Sequence, residues 1–374
     1  MRLKVFLQAT LFFLIVSTAG CGGFMARRMA QSPNTYPSWL APQARVAVVF
    51  SDKFLTNFPS QYLEVGPPEA QLCYRVVKPA EYGLKVSSSN WFEHGRAHFK
   101  FSFGATVPAE TNVWTVSPRG TVILLHGYGL AQFAMAPWAL RLAQDGWSCV
   151  VVDLRGHGKS TGRRIYYGAQ EWNDLSQLLD ELLQAGQLSA PVAAFGESYG
   201  AALALRWKAT DPRVSRVVAV APYPVLSNAV MNICNEYTDW FPQWLLKSGL
   251  RKLPSVLGVE GSDLDTATVL ARRPVAALFV AGTQDKVAPP TDVLSLYEKA
   301  APGSEWITVP GATHEALPFY FHELAPAVLS WLEGTGPTNE ISALRQQADQ
   351  APAGAGDVLP PAPGFVGGSD DEVD

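Results

Sequence analysis

From Gly120 to Leu332, apolar runs alternate with amphipathic stretches, a rhythm that predicts repeated strand, helix, strand units around a mostly parallel sheet. Thr121 to Leu125, Trp147 to Val152, Val192 to Phe195, Val217 to Val220, Val275 to Val280 and Trp306 to Val309 are continuous apolar runs, as expected of strands covered by helices on both faces. Trp172, Leu175, Leu178, Leu179, Leu182 and Leu183 recur at helical spacing before Gly186, and helices are also predicted over Gln132 to Gln144, Asp292 to Ala300 and Phe321 to Glu333. From Tyr223 to about Arg272 the rhythm breaks. Tyr237, Trp240, Phe241, Trp244 and Leu250 crowd a region without a clear strand, read as an inserted cap of short helices. The class expected is α/β: a mostly parallel central sheet flanked by helices, with a small helical cap.

Ahead of this body, residues 44–118 read as a β-rich extension with strands at Val46 to Phe50, Leu72 to Val77 and Ala97 to Phe103, broken by Pro67-Pro68, Pro79 and Gly83. Whether these form a separate layer or lead the main sheet is left open. Residues 119–335 are assigned to the main domain, with the cap at about 223–272. The tail over residues 336–374 has a short helical pattern near 340–349, and then Pro, Gly and Ala before Ser369-Asp370-Asp371-Glu372-Val373-Asp374, a composition that does not support a packed core.

Met1-Arg2-Leu3-Lys4, the apolar run Val5 to Val16 and small residues leading to Cys21 have the order of a secretory signal peptide. Thr18-Ala19-Gly20-Cys21 resembles a bacterial lipobox, although Thr18 stands where Leu is usual. This resemblance implies that Cys21 is lipidated, that residues 1–21 are a lipoprotein-type signal, and that the protein is exported and anchored to a bacterial membrane. It would face the periplasm or sit at the outer membrane. Residues 22–43 then read as a tether. Cys73, Cys149 and Cys234 remain; Cys149 reads as a core residue, and a Cys73 to Cys234 bridge is left open. A net charge of −4 with no basic cluster argues against nucleic acid as a partner.

The candidate chemistry centres on Gly196-Glu197-Ser198-Tyr199-Gly200, at the end of a predicted strand and the start of a helix. Small flanking residues are what a sharp strand-to-helix turn requires, so Ser198 is the candidate nucleophile. A serine needs an imidazole to take its proton and a carboxylate to orient that imidazole. Of the six histidines, His314 follows the last strand, and Asp285 directly follows the strand before it. The order Ser198, Asp285, His314 places all three at strand carboxyl ends. Tyr128, within His126-Gly127-Tyr128-Gly129, and Tyr199 are the candidate backbone donors to an oxyanion. Arg155 and His157 read as residues that order their own loop. No spacing suggests a metal site, and no phosphate or dinucleotide loop suggests a cofactor.

Taken together, His126-Gly127-Tyr128-Gly129, Asp153-Leu154-Arg155-Gly156-His157-Gly158-Lys159-Ser160, Gly196-Glu197-Ser198-Tyr199-Gly200, Gly282-Thr283-Gln284-Asp285 and Gly311-Ala312-Thr313-His314-Glu315 resemble the α/β-hydrolase fold. The second of these is similar to the monoacylglycerol lipase and lysophospholipase branch. The resemblance spans about Gly120 to Leu332 and implies a serine hydrolase that cleaves carboxylic esters through an acyl-enzyme. The implied partners are a small-molecule or lipid ester and the membrane. That branch usually carries His-Ser-Met-Gly at the elbow, where this chain has Glu197 and Tyr199. Its Ser-Tyr-Gly form also resembles serine peptidases of the same fold. A peptidase or amidase on the same triad, and a non-enzymatic surface lipoprotein, are the alternatives.

Overall fold

The computed structural model describes residues 21–35, 46–50, 52–93, 96–107 and 117–334. The expected signal peptide before Cys21, most of the tether's second half, the pattern near 340–349 and the acidic tail lie outside them.

The main sheet has eight strands. In chain order they are β2 (Gln61–Val65), β3 (Ala70–Val77), β6 (Thr121–Leu125), β7 (Ser148–Asp153), β8 (Val192–Glu197), β9 (Val214–Val220), β10 (Leu278–Gly282) and β11 (Glu305–Val309). Their spatial order is β11-β10-β9-β8-β6-β7-β3-β2, and β3 alone runs against its neighbours. Every residue of β6, β7, β8 and β10 is buried, because helices cover both faces. The covering helices are α2 (Ala136–Gln144), α3 (Glu171–Gln184), α4 (Tyr199–Thr210), α8 (Pro290–Tyr297) and α9 (Phe321–Glu333). Between β9 and β10 lie α5 (Leu226–Tyr237), α6 (Gln243–Leu257) and α7 (Thr266–Arg272), so the predicted cap region is helical.

The extension resolves into both forms left open by the sequence. β2 and β3 join the main sheet, whereas β1 (Val46–Phe50), β5 (Arg96–Thr106) and β4 (Gly83–Glu93) form a separate three-stranded sheet. Alternation along β5 buries Phe99, Phe101 and Phe103. Phe99 stacks on Tyr320 at 5.2 Å, and Phe101 meets Phe319 at 4.8 Å. The small sheet therefore lies against the chain between the last strand and α9.

The first part of the expected tether is docked structure. Residues 21–29 form a helix, α1, whose buried side crosses α6. A Cβ on Gly22 would stand 2.2 Å from Ser248 Oγ, and one on Gly249 would stand 2.5 Å from Met25 Cγ. Missing side chains on both helices permit this close approach, and the packing stabilises a segment too short to be helical alone. Cys73, Cys149 and Cys234 are buried free thiols, so the bridge left open between Cys73 and Cys234 is not formed.

Candidate active site

The register of the parallel strands sets Leu125 beside Gly196, Glu197 beside Val220, and Gly282 beside Val309. The loops after β6, β8, β10 and β11 therefore open on one edge of the sheet. At that edge Ser198 has φ 51° and ψ −109°, a conformation that costs a non-glycine residue about 1 to 3 kcal/mol and that neighbouring structure must impose. The imposing contacts are visible. The Ser198 amide donates to Val220 O at 2.8 Å, and a Cβ on Gly196 would lie 2.2 Å from Gly200 O. On Gly200 it would lie 2.2 Å from Leu125 O, so α4 starts hard against the end of β6. Glycine is required at both positions to let these backbones meet.

Ser198, Asp285 and His314 come together. His314 Nε2 is 3.0 Å from Ser198 Oγ, and His314 Nδ1 is 2.8 Å from Asp285 Oδ2. Asp285 is buried, and its Oδ1 accepts the amides of Val287 at 2.8 Å and Ala288 at 2.7 Å, which fixes the carboxylate plane. The two supporting loops are laced together, since Thr283 N donates to Val309 O and Gln284 N to Ala312 O. Such an arrangement can hold one imidazole tautomer, with Nδ1–H toward Asp285 and Nε2 free to accept the serine proton.

The loop of Gly127 and Tyr128 lies across the elbow, where a Cβ on Gly127 would be 3.8 Å from Ser198 Cβ. Tyr199 is the first residue of α4, and helix geometry leaves its amide without an intrahelical acceptor. Beneath these donors sit two buried histidines. His126 Nδ1–H donates to Gly127 O at 2.8 Å while Nε2 accepts the Leu154 amide at 3.0 Å, and burial lowers its pKa to about 4. Burial, with His126 beside it, lowers His157 to about 3. Both rings are therefore neutral at neutral pH and act as fixed spacers. Arg155 donates from Nε and Nη2 to buried Asp174 at 2.7 Å and from Nη2 to Pro68 O at 2.7 Å. Asp153 accepts the Gln132 amide, the Gln132 side chain and the Lys159 amide at 2.7 to 2.8 Å. The Asp-x-Arg-Gly-His-Gly segment is thus the frame beneath the candidate oxyanion loop.

Cys21 stands exposed at the start of α1. Sequence reasoning passed over Tyr167, which no motif marks. Its buried ring stacks on Tyr128 at 6.3 Å and meets Tyr199 edge-on at 6.4 Å, beside both candidate oxyanion donors.

Residues 116–267 match the profile of a family described as serine aminopeptidase, S33. The chain is 24% identical over 183 residues to the uncharacterised protein YqkD of Bacillus subtilis, covering 48% of this chain and 59% of that protein. It is 28% identical over 125 residues to a monoacylglycerol lipase of Mycolicibacterium smegmatis, covering 31% and 43% respectively. The matches thus span about half the length of these curated relatives. In structure it is similar to an esterase from Pyrococcus furiosus, with a TM-score of 0.55 and 20% identity over 77% of this chain and 96% of that one. The profile match ends before Asp285 and His314, so the spatial agreement of those residues with Ser198 is an independent observation. With the strand order and the elbow, these likenesses support a hydrolase, and the chain has the α/β-hydrolase fold.

Proposed function

We propose that this protein is a serine hydrolase of carboxylic esters. The observation that carries the reading is Ser198, strained at φ 51°, with its Oγ 3.0 Å from an imidazole that a buried aspartate orients. In the proposed mechanism Ser198 Oγ attacks the acyl carbon while its proton passes to His314 Nε2. The carbonyl π electrons move to oxygen, and the Tyr128 and Tyr199 amides hold the resulting oxyanion. Collapse of this intermediate breaks the bond to the alcohol oxygen, which leaves with the proton from His314. Water then repeats the sequence on the acyl-enzyme, with His314 first as base and then as acid, and frees the carboxylic acid and Ser198. Asp285, bonded to His314 Nδ1 at 2.8 Å, keeps the ring oriented and stabilises the imidazolium.

Lipid-derived esters are the proposed substrates, and Cys21 the proposed lipid anchor. Cys21 and Phe24 are exposed on α1. Near it, the cap exposes Trp240 (76%) and Trp244 (57%), and Lys247 and Arg251 share the exposed stripe of α6. Aromatic and basic side chains next to an acyl anchor suit an anionic membrane surface. Replacement of Cys21 by Ala tests the anchor, which predicts loss of the membrane-bound fraction.

A fluorophosphonate probe tests the nucleophile: one adduct on Ser198 is expected, and none in Ser198→Ala. A peptidase reading draws on the matched profile's description and on Glu197 and Tyr199 at the elbow. A panel of p-nitrophenyl esters of graded chain length, run beside aminoacyl and dipeptidyl amides, separates the two. Faster turnover of the amides would displace the esterase reading.

A further inference from the structure

Residues 21–34 hold the loop after β7 at several points. The Ile165 amide donates to Ala30 O at 3.0 Å and the Ser32 amide to Arg163 O at 3.2 Å, which makes Gln31 and Arg164 a short antiparallel bridge. Ser32 Oγ donates to Gly156 O, and Asn34 Nδ2 donates to Gly158 O at 3.1 Å. The Tyr167 hydroxyl donates to Met29 O at 2.7 Å.

The loop that receives these bonds has little regular structure of its own. Gly156, Gly158, Gly162 and Gly168 all have positive φ, and Tyr167, a bulky residue, does so at 52°. That conformation is unfavourable for tyrosine and persists only where surrounding contacts impose it. Among those contacts are the hydroxyl bond to Met29 and the rings of Tyr128 and Tyr199. Tyr128 in turn sits between two glycines and is 37% exposed, so ring packing on Tyr167 restrains a backbone that glycine leaves permissive.

We propose that residues 21–34 are a strap belonging to the active site: by fixing the 156–168 loop they seat Tyr167, which positions the oxyanion loop at Tyr128 against Tyr199 at the elbow. Tyr167 is a positioning residue here, and Ser32 acts one step further out. The proposal rests on the serine hydrolase reading, because it assigns the strap's effect to the oxyanion donors. Donors misplaced by about 1 Å can cost on the order of a hundredfold in rate, so loosening one hydrogen bond in the strap should cost about tenfold. The segment first read as reach between an anchor and a catalytic body is committed to the catalytic body itself.

The test uses the full chain carrying Tyr167→Phe, which keeps the ring and removes the hydroxyl, and Ser32→Ala, which removes the bond to Gly156 O. For a p-nitrophenyl ester, each variant should lower kcat by about tenfold with KM within about twofold, while still labelling fully, though more slowly, with fluorophosphonate. The double variant should fall little below either single one, since both loosen the same loop. Wild-type kcat in both variants, a rise in KM at constant kcat, or losses that multiply independently would overturn the proposal. If Tyr167→Phe does not fold, Ser32→Ala alone carries the same expectation. Failure of the wild-type chain to label at Ser198 would instead strike the serine hydrolase reading, which keeps the two failures apart.

Discussion

Glu197 precedes Ser198 and is buried, and its Oε1 meets no hydrogen-bond partner among the described residues. Burial pushes its carboxyl from 4.5 up to about 8. Between those values the native protein keeps a proton that the unfolded chain has released, so stability falls as pH rises. The slope is about 1.4 kcal/mol per pH unit, or about 5 kcal/mol across the window. Below pH 4.5 both states are protonated and the contribution is complete; above about pH 8 both are ionised and it is gone. Glu197→Gln removes the titration and with it the slope. Urea unfolding of both proteins from about pH 5 to about pH 8 reads this directly, as a variant-minus-wild-type stability difference that climbs by about 4 kcal/mol. The absolute offset depends on how the amide is accommodated, so the slope is the quantity that decides. A level difference would mean that Glu197 is ionised in the folded protein at neutral pH, and the reasoning from burial fails. A neutral Glu197 also places no negative charge on the residue before Ser198.

Further expectations follow from the same geometry. Asp285→Asn should keep the fold and lower kcat by about 10⁴-fold, because an amide facing His314 Nδ1 favours the wrong tautomer; ester kinetics on protein of native circular dichroism check it. Gly200→Ala drives a Cβ onto Leu125 O, a backbone atom that cannot step aside, and should cost about 1 to 3 kcal/mol in urea unfolding along with much of the activity. Arg155→Ala leaves Asp174 buried without its guanidinium and should cost about 3 to 5 kcal/mol, whereas Arg155→Met combined with Asp174→Leu should recover most of the loss. Thermal and urea midpoints distinguish these outcomes.

Strands with continuous apolar runs were legible in the sequence because burial on both faces leaves few polar positions, and those mostly at strand ends, and β6, β7 and β8 fall where those runs predict. The three residues of the site were legible for a related reason: sharp turns at strand ends demand glycine, and glycines flank Ser198, precede Asp285 and precede His314. Edge and accessory strands were harder. In β2 exposed positions alternate with partly buried ones, and β4 carries Ser87-Ser88-Ser89-Asn90, so neither presents an apolar run. Helix α1 was not legible at all, since Gly22-Gly23 argues against a helix and the partner that requires glycine at position 22, Ser248 of α6, lies more than two hundred residues away. Tyr167 escaped for the same reason: its importance lies in what its ring touches.

The phenylalanine ladder of β5 has a kinetic meaning. Phe101 meets Phe319 and Phe321 across more than half the chain, and these partners follow His314 by only a few residues. Contacts of such sequence separation form late, because the loop they close must be ordered before they repay it. A chain that already holds β5 therefore cannot seat these rings until residues 319–321 have been added, so the small sheet and the arm that carries His314 take their final packing together.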